Sequence, residues 1–406
     1  MTAIPHTHPE VRTPSLNPGV MAAILVAGHG IKHVYNAGFA LLLPEIQTAF
    51  GLNNAAVGFL NTARSFAGSG SNLPAGFVAD RFSNRWGRIL GLLMLVIGVF
   101  QFIMGSVNGY WGILMCAVVV SAAISFWHPP AMAALSHRFP ARRGFFISLH
   151  GSGGSVGEAT GPLMVGALLG VMAWQGILQV SALPALVTGV AVWFLMRNVT
   201  GYETNVGSFK SYLASLRPFL TNPALLLVFF SVGGSNMAQS AVSTFLPIYL
   251  RNDLGYDPIT AAGHLFLGQV AGIASAPVLG YLSDRYGRRR VLVPALLCLA
   301  SGILLMSVAP PGPLLAVAIV WMGAFVYPMM ALFVATAMDR VGSNVQATTV
   351  SLVFGIGSLF GSFSPTIAGF LADGFGVKAA FYWAVLAALA AAGFAALVST
   401  RPVEQT

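Results

Sequence analysis

Several ionisable side chains lie inside stretches that are otherwise apolar, and their spacing groups them. His29, Lys32, His33 and Asn36 recur at i, i+3, i+4 and i+7, so a helix puts all four on one face. Asn61, Arg64, Gly68 and Asn72, at i, i+3, i+7 and i+11, likewise share one helix face in the next apolar stretch. Further on come His128, then His150 and Glu158, eight residues apart and hence roughly aligned on one helix. An ionisable group within a hydrocarbon layer costs at least ~2.5 kcal/mol, so each of these must face a cavity or a partner. Lys32 and Arg64 together suit an anion, the arginine fork matching a carboxylate or phosphonate; Glu158 could equally neutralise either one as a structural ion pair. As the one acidic residue deep in an apolar stretch, Glu158 is the preferred proton carrier. His29 and His150 are further proton-coupling candidates, since imidazole titrates near neutrality. His29 and His33 at i, i+4, with His128 and His150, also fit a metal site, but the Lys32 ammonium beside them opposes a dication. Next to Pro129-Pro130, His128 has a plainer role open to it, bonding a carbonyl that the prolines leave free.

The elements that position these groups follow from composition. The 406 residues are 56% apolar and 8% charged, with mean hydropathy +0.78, which no soluble globular domain matches. Gly, Pro and charge punctuation divides the chain into twelve stretches of membrane-crossing length: 19–43, 54–79, 87–107, 110–135, 144–170, 173–197, 222–250, 258–283, 290–309, 312–337, 347–372 and 377–400. The expected organisation is a cytoplasmic tail (1–18), a six-helix bundle (19–197), a cytoplasmic linker (198–221), a second six-helix bundle (222–400) and a short tail (401–406). Of the 20 Lys and Arg residues, Lys32 and Arg64 fall within spans and Arg251 and Lys378 fall on one side; all the others fall on the side of the termini. That bias predicts cytoplasmic termini and accounts for the net charge of +9 without a nucleic-acid partner. Cys116 and Cys298 both lie in apolar stretches and form no disulfide or metal pattern.

The chain also repeats itself at half length. Gly76-Phe77-Val78-Ala79-Asp80-Arg81 and Gly280-Tyr281-Leu282-Ser283-Asp284-Arg285-Tyr286-Gly287-Arg288-Arg289 each close an apolar stretch, and Pro44, Ser148-Leu149 and Pro162 have counterparts at Pro247, Ser351-Leu352 and Pro365. Mapped through the repeat, His29, Lys32, Arg64, His150 and Glu158 meet Val232, Ser235, Gly268, Val353 and Gly361, so the second half is neutral where the first is charged. Charges kept in one copy answer to substrate or protons rather than to shared scaffolding. Gln239 and Tyr327, the counterparts of Asn36 and His128, supply the second half's share of the site.

The Gly-x-x-x-Asp-Arg-x-Gly-Arg-Arg loop resembles the signature loop of the major facilitator superfamily of transporters. The second copy fits fully, whereas the first has Ser83 in place of a glycine. His29-x-x-x-His33, Trp127-His128-Pro129 and Ser148-Leu149 followed by Gly153-Gly154 and Gly161-Pro162 are similar, within that superfamily, to fosmidomycin-resistance exporters. Gly157-x-x-x-Gly161-Pro162-x-x-x-Gly166 resembles the fifth-helix motif of proton-coupled drug exporters, although glycines at this spacing also serve plain helix packing. The resemblance implies an all-α membrane protein with twelve transmembrane helices in two pseudo-symmetric six-helix bundles, with Asp80, Arg81, Asp284 and Arg285 as gating residues. The expected substrate-binding set is Lys32, Arg64, His33, Asn36, Asn61, His128, Gln239 and Tyr327.

The function expected is proton-coupled export of a small organic, anionic or amphiphilic molecule across the bacterial inner membrane by antiport. Competition of the carboxyl and the anion for one cationic pair is taken to give antiport, and simultaneous binding to give symport uptake, the alternative. No Gly-x-x-x-x-Gly-Lys-Ser/Thr or His-Glu-x-x-His run occurs, which places ATP-driven transport and an intramembrane enzyme, with metal transport, below these. A monomer in the lipid bilayer, without cofactor or metal, partnered by substrate and protons, completes the expectation.

Overall fold

The computed structural model describes residues 16–199, 217–340 and 346–398, so the expected tails and most of the linker lie outside the described residues. The described chain is all helical. The first half comprises α1 (Pro18–Phe50), α2 (Asn54–Arg81), α3 (Trp86–Met104), α4 (Tyr110–Phe126), α5 (His128–Arg138), α6 (Arg143–Leu169) and α7 (Trp174–Leu195). The second comprises α8 (Pro223–Ile248), α9 (Pro258–Tyr286), α10 (Arg288–Val308), α11 (Pro313–Val326), α12 (Met329–Met338), α13 (Gln346–Phe375) and α14 (Lys378–Leu397). Among the described residues, 9 helices are long and apolar enough to cross a membrane, with α4–α5 and α11–α12 each counting as one continuous crossing. Large apolar side chains such as Trp111, Val171, Phe194 and Leu386 stand exposed on the outside, as a lipid-facing surface requires. The protein is a multi-pass membrane protein.

Local chemistry sets the helix ends. Asn17, Asn53, Asn222 and Asp257 cap α1, α2, α8 and α9 by accepting first-turn N–H groups, and Pro18, Pro223 and Pro258 follow three of these caps. The first helix runs past its expected end at residue 43. Pro44 sits inside it, and it stops only at Gly51, whose φ of 57° is the left-handed conformation that glycine adopts without strain. The fourth and tenth expected helices are each interrupted, at Trp127 and at Tyr327-Pro328, because Pro129, Pro130 and Pro328 remove the N–H groups that would continue the ladder. The two interruptions occupy equivalent places in the halves, as do the in-helix prolines Pro44 and Pro247, and Pro162 and Pro365.

The halves are joined at the end that carries the α1–α2 turn. Asp373 of α13 accepts the N–H groups of Asn54 and Ala55 at 2.7 and 3.0 Å, capping α2 from across the interface. Nearby, Arg251 grips Glu45 at 2.5 Å, Asn252 donates to Gln47 at 3.0 Å, and Thr366 donates to the Thr62 hydroxyl at 2.8 Å. A side chain on Gly58 would collide with the Pro365 carbonyl and one on Gly369 with the Asn54 carbonyl, so α2 and α13 touch backbone to backbone. Replacing Asp373 by Ala removes the cap and is expected to weaken the joined end by about 0.5–2 kcal/mol. Alkylation of a cysteine placed at Ser65, reached from the α1–α2 side, should then accelerate; an unchanged rate would contradict the role of Asp373 as a latch.

Candidate functional site

Between the halves lies a cavity of about 560 Å³, a size suited to a small organic molecule. Its wall in the first half includes Asn36, Asn61, Arg64 and Glu158, and in the second Asn236, Gln239 and Tyr327. Lys32, His33, His128, His29 and His150 do not line it. They pack behind Glu158, inside the first half, so the polar face of α1 divides between two surroundings.

The way α1 meets α6 explains this division. Along α6, a side chain on Gly153 would come within 2.7 Å of the Val26 carbonyl and one on Gly161 within 2.7 Å of the Val34 carbonyl, while one on Gly157 would fall on the carbonyl of Gly30. The glycine stripe therefore lets two backbones touch, and the side chains flanking it are pressed together. His33 Nδ1 lies 2.6 Å from Glu158 Oε1, and His29 Nδ1–H donates to the His150 carbonyl at 2.6 Å. The His29 and His150 rings stack with centroids 3.8 Å apart. Lys32 is fully buried; its Nζ donates to the Ile124 carbonyl at 3.0 Å and to the His128 ring at 2.9 Å, and lies 5.5 Å from the Trp127 ring centroid.

Arg64 is held differently. It donates to Asn61 Oδ1 at 3.2 Å and to the carbonyl and Oδ1 of Asn36 at 2.9 and 2.6 Å, with its guanidinium over the Phe39 ring. All these acceptors are neutral. Asn36 turns its Nδ2 to Glu158 Oε1 at 3.0 Å, and Asn61 donates to Thr244 Oγ1 at 2.6 Å across the halves. A continuous chain of hydrogen bonds thus runs from Glu158 through Asn36, Arg64 and Asn61 to the second half.

One ring nitrogen from each of His29, His33 and His128 lies within 4.8 Å of the others, a donor set of the kind that holds zinc. The Lys32 ammonium, 2.9 Å from one of those nitrogens, opposes it. Unit charges about 4 Å apart repel by ~4 kcal/mol at an effective dielectric constant near 20, so a dication there would be opposed by on the order of 8 kcal/mol.

At the opposite end, Asp284 and Arg288 form an ion pair and Arg288 also reaches Asp339 at 2.8 Å, while Arg285 donates to the Tyr281 hydroxyl at 3.0 Å. These contacts of Asp284 and Arg285 stay within the second half. Asp80 and Arg81 are exposed at the end of α2. The Asp373 cap and the Glu45–Arg251 pair have no signature in the sequence, since their partners lie 319 and 206 residues apart without any periodic signal.

The family model described as Major Facilitator Superfamily matches residues 25–365, and matches again over 265–406. The chain belongs to the major facilitator superfamily. Among its relatives, the fosmidomycin resistance protein of Escherichia coli (strain K12) is 22% identical over 300 residues, covering 72% of this chain and 71% of that protein. The glycerol-3-phosphate transporter of Bacillus subtilis (strain 168) is 23% identical over 401 residues, covering 91% of this chain and 89% of its own length. In fold, a bacterial homolog to the human lysosomal transporter Spinster, crystallised in an inward-facing and unoccupied conformation, superposes with a TM-score of 0.83 at 15% identity, over 94% of this chain and 96% of that one. This major facilitator protein is therefore a transporter rather than an enzyme.

Gly157→Ala should push α1 from α6 and cost about 1–3 kcal/mol through overpacking. Gly151→Ala, on the same helix with open space around it, should be neutral or slightly stabilising. Thermal unfolding of the two variants checks the contrast; equal melting temperatures would mean that the glycine contact does not hold the site.

Proposed function

We propose that this transporter crosses the bacterial inner membrane twelve times, the 9 apolar crossings being joined by α1, α2 and α6, which are 33, 28 and 27 residues long and carry the site's polar groups. Basic residues concentrated at the end opposite the joined one favour cytoplasmic termini, a sealed outer end and a cavity open inward. Asp80, Arg81, Asp284 and Arg285 lie at that inner end, where they would act as gating residues when the halves rock.

The substrate is a small organic anion, and transport is coupled to protons. The observation that carries this reading is Arg64 at the cavity wall, its charge met among the described residues by neutral oxygens, and tied through Asn36 to Glu158. A buried guanidinium without a paired carboxylate leaves a positive potential that an anionic group entering the cavity satisfies. Asn61, Gln239 and Tyr327 complete the polar lining, and Lys32 adds positive field from behind rather than a direct ligand.

The sign of the coupling differs from the competition argument made from the sequence. An ionised Glu158 draws on the same cations as the substrate, so protonating the Glu158 region strengthens anion binding, and by reciprocity the anion strengthens proton binding. Proton and anion then travel together, which favours symport uptake over antiport. Export by antiport is supported instead by similarity to the fosmidomycin resistance protein and by the α6 glycine motif; the packing of those glycines on α1 already accounts for that motif structurally.

Reconstitution into liposomes tests the reading with a panel of carboxylates, phosphonates and phosphate esters. An acidic outer medium should accelerate anion accumulation at least severalfold in the wild type. Arg64→Gln should abolish uptake, and Glu158→Gln should retain exchange of labelled for unlabelled anion while losing gradient-driven accumulation. Expulsion of preloaded anion from the liposomes by protons entering from an acidic outer medium would favour antiport instead.

A further inference from the structure

The cavity between the halves carries more hydrogen-bonding capacity than the protein itself uses. Asn72 on α2, Asn236 and Gln239 on α8 and Gln269 on α9 all line it, and none of these four side-chain amides has a hydrogen-bond partner among the described residues. Inside a membrane protein such amides ordinarily pair with a neighbouring helix, because hydrocarbon offers them nothing. Asn36 and Asn61, which line the same cavity, do pair: they hold Arg64, and Asn61 also reaches Thr244. Asn236 instead sits against two glycines of α13. A side chain on Gly357 would collide with its amide nitrogen, and one on Gly361 would come within 3.2 Å of its Cβ. Each free amide offers two N–H donors and a carbonyl acceptor. A ligand that uses both kinds must donate and accept at neighbouring positions, which is the property of a hydroxyl group.

Charge is distributed differently over the two walls. Among the described residues that line the cavity, the ionisable side chains other than Tyr327 are Arg64 and Glu158, both in the first half. Through the half-length repeat His33 corresponds to Asn236 and Asn36 to Gln239, while Gln269 follows Gly268, the counterpart of Arg64. The second half thus presents neutral hydrogen-bonding groups where the first presents charge. A second charged group on the substrate would meet no opposite charge on that wall and would be desolvated against amides. Tyr327 is the one aromatic residue in the described lining, so a flat ring system finds one ring to stack on and none to enclose it. Leu246, Ile319 and Met322 supply aliphatic surface for the C–H groups of a carbon chain.

We propose that the substrate carries a single anionic group at one end of an uncharged, polyhydroxylated body, as in a sugar acid or a polyol phosphate. The anionic group lies at Arg64 in the first half. The hydroxyl groups are read by Asn236, Gln239 and Gln269 in the second, and by Asn72 on the facing wall, so the ligand spans the two halves. Placing the anionic end rests on the organic-anion reading above; recognition of hydroxyl groups rests on the unpartnered amides and stands apart from it. Specificity follows from the same feature. A deoxygenated analogue displaces water from the amides without replacing its hydrogen bonds, and a site of that kind rejects it.

Matched pairs of compounds test this on full-length protein in detergent, with dissociation constants taken from ligand-dependent thermal stabilisation. The pairs are gluconate with hexanoate, glycerate with propionate, and glycerol 3-phosphate with propyl phosphate. In at least one pair the hydroxylated member should bind about tenfold tighter or better, the effect of a few lost hydrogen bonds. Gln239→Leu and Gln269→Leu should narrow that ratio, whereas Arg64→Gln should weaken both members by the same factor. A ratio near one in every pair, or failure of every hydroxylated member to bind, would overturn the proposal in the wild type alone, whether or not the variants fold. The neutral polyols glucitol and glycerol separate the two readings. If they bind as tightly as the matching anions and Arg64→Gln leaves that binding unchanged, hydroxyl recognition stands and the anion reading falls. If the anions bind through Arg64 and hydroxyl groups add nothing, the anion reading stands and this proposal falls.

Discussion

The close backbone contact of α1 with α6 is the constraint on which the site depends. Carbonyls of Val26, Gly30 and Val34 occupy the space that side chains at Gly153, Gly157 and Gly161 would need. In a membrane, where lipid tails compete equally for apolar surface, such small-residue contacts supply packing that larger side chains would prevent. The consequence is chemical as well as structural. It brings His33 against Glu158 and His29 against the His150 backbone, and it places the histidines inside one half rather than between the two.

The second feature is the use of amides to handle charge. A carboxylate in direct contact with Arg64 would hold it in a buried pair that is costly to break. Asn36 and Asn61 instead satisfy the guanidinium hydrogens while leaving the charge to be answered, and Asn61 passes the link to Thr244 in the opposite half. A change at Glu158 is therefore felt at Arg64, and a change at Arg64 is felt at the interface between the halves. The interface itself is secured at one end by the Asp373 cap and the Glu45–Arg251 pair, contacts that must open for the cavity to face the other way.

Much of this architecture is legible in the residue order. The half-length repeat marks the paired prolines and the paired interruptions near Trp127 and Tyr327, and the neutral residues at the second-half counterparts of Lys32, Arg64 and Glu158 point to where the chemistry lies. Helical spacing places His29, Lys32, His33 and Asn36 on one face, but spacing cannot say which neighbour that face meets. Its rotation against α6 decides that Asn36 reaches the cavity while Lys32 turns to the Ile124 carbonyl. The latch is illegible for a different reason. Asp373 and Asn54 meet only because the two halves close, and nothing local to either residue encodes that.

The central claim is that proton and anion favour each other through the Glu158–Asn36–Arg64 link, and its sign can be read directly. Protons should be counted with a pH indicator as organic anions are added to the detergent-solubilised protein and to Glu158→Gln. The wild type should take up protons from the medium on binding, by up to one per anion, and the variant none. Proton release by the wild type on binding would contradict the account and establish competition between the two.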